Sequence, residues 1–328
     1  MTAKHKNPKS GEDDLRIFSD VRKFLQALNS GGGKPIEQLD PPAARQVLAQ
    51  AQQAVNVDYS GIEESQRLIT ENGITVPIHI VKPLEAKADI PVFMFFHGGG
   101  WVLGDYPTHR RFVRDLVVES GAAAVFPDYT PSPEAQFPVA INQAYAATKW
   151  VAEHGHEIGV NGRKLAVVGN SVGGNMAAVV ALMAKDKHGP EIKLQVLFWP
   201  VTNASFDTPS YNEYDEGRFL TRNMMTWFWD NYTMQPVERG QIYASPLLAT
   251  VEQLKGLPPA LVLTAENDVL RDEGEAYARK LEEAGVKVAA TRYNGMIHDW
   301  GLLNALASIP NTRASLLQAA TELKKALI

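Results

Sequence analysis

The strongest constraint on the fold is an alternation. Six short, predominantly apolar runs lie at residues 91–96, 122–127, 164–169, 194–199, 260–264 and 286–293. A strand that is apolar at every position, rather than at every second one, is buried on both faces. Segments of helical length lie between or after these runs, at 109–120, 139–154, 172–187, 273–284 and 311–327. Strands and helices in that order build a mostly parallel sheet covered on both sides. Ahead of them, runs at 67–70 and 75–83 flank Asn72-Gly73. Both residues tolerate positive φ, so this stretch reads as an antiparallel hairpin at one edge.

Two segments break the alternation. Residues 1–12 read as disordered. From Asp13, the apolar positions Leu15, Phe18, Val21, Phe24, Leu25 and Leu28 recur at helical spacing. Gly31-Gly32-Gly33-Lys34-Pro35 ends that helix, and 43–55 is a second one. Between Pro200 and Pro246 there is no strand signal, but Tyr211, Tyr214, Phe219, Trp227, Phe228 and Trp229 make an aromatic, helical insertion. The expected division is an N-terminal helical arm (1–55), a sheet-bearing unit (56–200 and 245–328) and a helical insertion (201–244). Arm and insertion together would cap the C-terminal edge of the sheet, where ligands bind in open α/β folds.

Four motifs fall at the ends of the apolar runs. After Leu165-Ala166-Val167-Val168 comes Gly169-Asn170-Ser171-Val172-Gly173-Gly174, and then a helix. A serine at a sharp strand-to-helix turn has its Oγ exposed, and the next N–H lies at the helix N-terminus. After Val92–Phe96 comes His97-Gly98-Gly99-Gly100-Trp101. Consecutive glycines present backbone N–H groups with no side chain in the way, which suits charge developing on a carbonyl oxygen. Gly99, Gly100 and Val172 are the expected donors. Asp268 follows the run ending at Thr264, and His298 follows in Gly295-Met296-Ile297-His298. The order Ser, Asp, His is that of a nucleophile, a group orienting the base, and the base. Glu266, Asp272 and Glu273 are alternatives to Asp268, although Asp272 also suits a helix N-cap. Trp101, Asn170 and Phe219 are expected to line the substrate pocket.

Other signals are weaker. His154 and His156 resemble a metal tract, but they fall at a helix end, where histidines complement the helix dipole. Gly33-Lys34 is not a phosphate loop, because Pro35 stands where Ser or Thr is needed.

These motifs, with Asp128-Tyr129, Asp268–Gly274 and Ala244–Leu247, resemble the hormone-sensitive-lipase-like (family IV) esterases of the α/β-hydrolase superfamily. The resemblance runs from about residue 91 to 300. It implies an α/β-hydrolase fold with a helical cap and hydrolysis of short- to medium-chain carboxylic esters through an acyl-enzyme. It also implies a small-molecule ester as partner, with no cofactor and no metal. That family often has Asp before the nucleophile, Ala after it and Gly after the base. Here these are Asn170, Val172 and Asp299, changes that bear on substrate range rather than reaction class. Amidase, lactonase or carbamate hydrolysis would use the same groups. A ligand-binding protein on this fold is disfavoured because His298 is present.

Composition narrows the rest. The chain has 328 residues and a net charge of −5, which gives no footprint for nucleic acid. It has no cysteine, so disulfides and thiolate metal sites are excluded. Residues 1–20 lack an apolar signal core, and no run is long enough to span a bilayer. A cytoplasmic protein is expected, with a homodimer left open.

Overall fold

The structure, a computed structural model, describes residues 10–87 and 89–328. The expected disorder at 1–12 therefore lies largely outside the described residues. Gly11–Asp13, which overlaps the end of that range, instead forms a 3-10 turn.

Eight strands form one sheet: β1 (Ile62–Glu71), β2 (Ile74–Pro83), β3 (Ile90–Phe96), β4 (Ala123–Pro127), β5 (Val160–Asn170), β6 (Gln195–Phe198), β7 (Ala260–Asn267) and β8 (Val288–Ile297). Their order is β1-β2-β4-β3-β5-β6-β7-β8. The β1–β2 hairpin turns at Asn72 and Gly73, with φ of 50° and 80°. β2 pairs antiparallel with β4, and every later pairing is parallel. The helices are α1 (Ser19–Ser30), α2 (Pro41–Gln53), α3 (Tyr106–Ser120), α4 (Val139–His154), α5 (Val172–Asp186), α6 (Pro209–Glu213), α7 (Arg222–Tyr232), α8 (Val251–Leu254), α9 (Arg271–Glu283) and α10 (Pro310–Leu327).

The central apolar runs are strands because both their faces are covered. On β3, Val92, Met94 and Phe96 join one buried cluster with α4 and α5, while Phe93 and Phe95 join a second with α3 and α10. Burying each such phenylalanine contributes about 1.5–3 kcal/mol. Among the described residues, no helix is long and apolar enough to cross a membrane.

The first helix begins later than its periodicity predicts. Leu15 is 85% exposed and Phe18 51%, whereas Val21 and Leu25 are fully buried. Residues 14–18 are instead held by tertiary bonds. Asp14 pairs with the buried Arg218, and the Phe18 N–H donates to Gly295 O at 3.2 Å. The Gly11 N–H donates to Gly217 O. This arm therefore joins the insertion to the C-terminal end of β8, three residues before His298. Between β6 and β7 there is no strand, as expected. α7 packs Trp229 and Tyr232 on Trp101, whose ring lies 3.8 Å from that of Tyr232 and parallel to it.

Candidate active site

The candidate residues converge at the C-terminal ends of β3, β5, β7 and β8. Ser171 sits between β5 and α5 with φ 56° and ψ −121°, a conformation that L-residues avoid. The turn is this tight because α5 must start against β3: a Cβ on Gly173 would lie 1.9 Å from Phe96 O. The Ser171 N–H donates to Phe198 O at 2.9 Å, which fixes the elbow to β6.

His298 Nε2 lies 3.0 Å from Ser171 Oγ, and its Nδ1 lies 2.7 Å from Asp268 Oδ2. A carboxylate can only accept, so Nδ1 carries the proton and Nε2 is left free to take one. Asp268 is itself held by the Leu270 N–H on Oδ1. Ser171, Asp268 and His298 are all buried. Burial alone would lower the His298 pKa. The charges of Asp268 and Asp299 outweigh it, and the imidazole titrates above the ordinary histidine value.

The alternatives to Asp268 are engaged elsewhere. Glu266 accepts the Gly295 N–H at 2.7 Å, and Asp272 accepts from Ser210 N and Arg271. Asp272 lies inside α9 rather than capping it. Glu273 accepts the N–H groups of Thr202 and Asn203. Burial nevertheless raises its pKa well above the usual carboxylate range.

The glycine loop closes over the elbow. Among the described residues, none accepts a hydrogen bond from the N–H groups of Gly99, Gly100 or Val172. Unengaged backbone N–H groups are the kind of donor that holding an oxyanion requires. A Cβ on Gly100 would lie 2.0 Å from the Phe228 ring, so α7 of the insertion rests directly on this loop.

The three expected pocket residues part company. Asn170 is fully buried beside the elbow. Its Oδ1 accepts from Gly98 N at 3.0 Å and its Nδ2 donates to Asp299 Oδ1. Trp101 is also fully buried, and its indole packs beneath the insertion. Phe219 lies further out, 6.1 Å from Phe24.

Asp299 is the residue whose importance the sequence understated. Its Oδ1 also accepts from Trp199 Nε1 at 2.7 Å, and its Oδ2 stands 3.8 Å from His298 Nε2. Its position directly after the histidine was the available signal. Phe228 and Trp199 carried no motif and could not have been found that way. The resemblance of His154 to a metal ligand is answered locally. His154 is the last residue of α4 and pairs with Glu157, while Lys149 occupies the neighbouring carboxylates Glu71 and Glu153.

Known proteins share this arrangement. A model of the alpha/beta hydrolase fold family matches residues 93–302. The crystal structure of a thermostable esterase from Pseudomonas putida superposes with a TM-score of 0.95 at 63% identity, covering 96% of this chain and 99% of that one. Carboxylesterase NlhH of Mycobacterium tuberculosis is 34% identical over 272 residues, 80% of this chain and 82% of the relative. An ethyl acetate hydrolase of Pseudomonas putida is 32% identical over 295 residues, 87% and 92% of the two chains. The chain belongs to the α/β-hydrolase fold family and, within it, to the hormone-sensitive-lipase-like carboxylic ester hydrolases.

Proposed function

We propose that Ser171, His298 and Asp268 are the catalytic triad and that the preferred substrates are esters of short- to medium-chain acids. The observation that carries this reading is the hydrogen-bonded order Oγ–Nε2–Nδ1–Oδ2 at 3.0 and 2.7 Å. Ser171 Oγ attacks the ester carbonyl as His298 Nε2 takes its proton. Charge passes to the carbonyl oxygen, which the N–H groups of Gly99, Gly100 and Val172 receive. Collapse of the tetrahedral species expels the alcohol, which takes the proton back from His298, and the acyl group stays on Ser171. Water then repeats the attack with His298 as base and releases the acid. Asp268 holds the tautomer and stabilises the imidazolium without itself being protonated.

The chain-length preference is supported by the aromatic insertion resting on Gly100 and by the activity named for the ethyl acetate hydrolase relative. In the same reading, residues 1–55 and 201–244 form the cap, and 56–200 with 245–328 form the catalytic unit. A cytoplasmic setting goes with it, since a chain without cysteine gains nothing from an oxidising compartment. A homodimer is the assembly to test by light scattering.

The test is Ser171→Ala on p-nitrophenyl butyrate. Loss of kcat by about 10⁴–10⁶-fold is expected. A folded variant that kept its turnover would remove Ser171 from the role.

A further inference from the structure

Two consecutive peptides of the glycine loop are anchored from outside the site. The His97–Gly98 peptide is held at its carbonyl by Tyr129 OH at 3.0 Å. At its N–H it is held by Asn170 Oδ1 at 3.0 Å and His109 Nε2 at 3.2 Å. The Gly98–Gly99 peptide is held at its carbonyl by His97 Nδ1 at 2.8 Å. In a trans peptide the C=O and N–H point in opposite directions. Anchoring Gly98 O on one side therefore aims the Gly99 N–H to the other, as an oxyanion donor requires.

His109 belongs to α3, and the sequence motifs do not single it out. Its Nδ1 lies 3.2 Å from Asp105 O and 3.0 Å from Thr108 Oγ1. A backbone carbonyl only accepts, so Nδ1 bears the proton and Nε2 presents a lone pair. Only in that neutral tautomer can Nε2 accept the Gly98 N–H. Complete burial and the neighbouring His97 keep the imidazole neutral, with its pKa well below the ordinary value. Space for this approach exists because residue 104 is glycine: a Cβ there would lie 2.7 Å from Gly98 O and 2.9 Å from His97 Nδ1.

We propose that His109 is a positioning residue for the oxyanion hole, its Nε2 lone pair setting the Gly98 amide that orients the Gly99 donor. The inference rests on the oxyanion reading above. It is tested with His109→Phe, which keeps a ring but loses the acceptor, and His109→Gln, which keeps an acceptor. The readouts are kcat, KM and the affinity for an alkyl trifluoromethyl ketone, whose serine adduct carries the oxyanion. His109→Phe should lower kcat by about 10–100-fold, less than the ~10²–10³ of a donor removed outright. KM should stay within about twofold, because the ground state does not use the hole. Ketone affinity should fall in parallel with kcat, and His109→Gln should recover most of both.

A folded Phe variant with wild-type kcat and ketone affinity overturns the proposal, as does a Gln variant as impaired as Phe. Should the Phe variant not fold, ¹⁵N spectra of histidine-labelled wild-type protein decide the matter. The Nδ1–H tautomer supports it, and an Nε2–H tautomer or an imidazolium refutes it. Wild-type protein with no preference for the ketone over esters would instead bring down the oxyanion reading itself, whatever the His109 tautomer.

Discussion

Three of the proposed catalytic residues could be read one by one, and the reason is local. Ser171, Asp268 and His298 each follow a buried strand, and each motif needs only its own neighbours to be recognised. Asp299 shows the limit of that logic. It adds a second anion 3.8 Å from the base, a distance set by the turn after β8 and by Trp199 just past the end of β6. The consequence is a pH profile. In the proposed mechanism the base must be neutral to work, and its pKa is raised, so kcat/KM should fall as pH drops through a value above about 6.5. Asp299→Asn leaves Asp268 as the one facing carboxylate and should move this acid limb to lower pH. An unmoved limb would show that Asp299 does not act on His298. For the orienting acid, Asp268→Asn should reduce kcat by about 10⁴. Glu266→Gln, which leaves an acceptor for Gly295, should act mainly on stability. The reverse ranking in a kcat comparison would make Glu266 the acid.

At the scale of elements, the strands and the helices packed on them followed from hydrophobic pattern to within a few residues. The N-terminal arm did not. Apolar spacing from Leu15 onward fits a helix, but the Asp14–Arg218 pair and the Phe18–Gly295 bond hold 14–18 in another conformation. Such partners lie about 200 or more residues away, beyond any local pattern. Burial pushes the Asp14 pKa up, but hydrogen bonds from Arg16 and Arg218 outweigh it and hold the carboxyl well below the usual range. A carboxylate with a lowered pKa stabilises the fold above its unfolded value and gives this up as pH falls through the folded one. Asp14→Asn should therefore cost about 3 kcal/mol in urea unfolding at neutral pH, the low end for breaking a buried pair. The difference from wild type should close only in strong acid. Equal stabilities at neutral pH would mean that the arm is not a structural tie.

Over the whole molecule, the arm is bonded to both the insertion and the end of β8, and the insertion rests on the glycine loop. The stretch between β6 and β7 holds helices and no strand, but its sequence could not say what those helices touch. Contact of Phe228 with Gly100 depends on how α7 crosses the loop, and no periodicity encodes that. If the contact limits acyl length, it has a testable consequence. An acyl series from acetate to dodecanoate should show kcat/KM highest among the short and medium chains. Phe228→Ala should shift that maximum toward longer chains. An unchanged profile would separate α7 from acyl selection.

The backbone at Ser171 sets function against folding. At φ 56° the serine occupies a region where a side chain is penalised by about 1–3 kcal/mol and glycine is not. Ser171→Gly should therefore melt higher than the parent while losing all turnover. The protein would be carrying its nucleophile at the expense of thermal resilience. A random search for heat-resistant variants that does not also select for activity should find its way to this position.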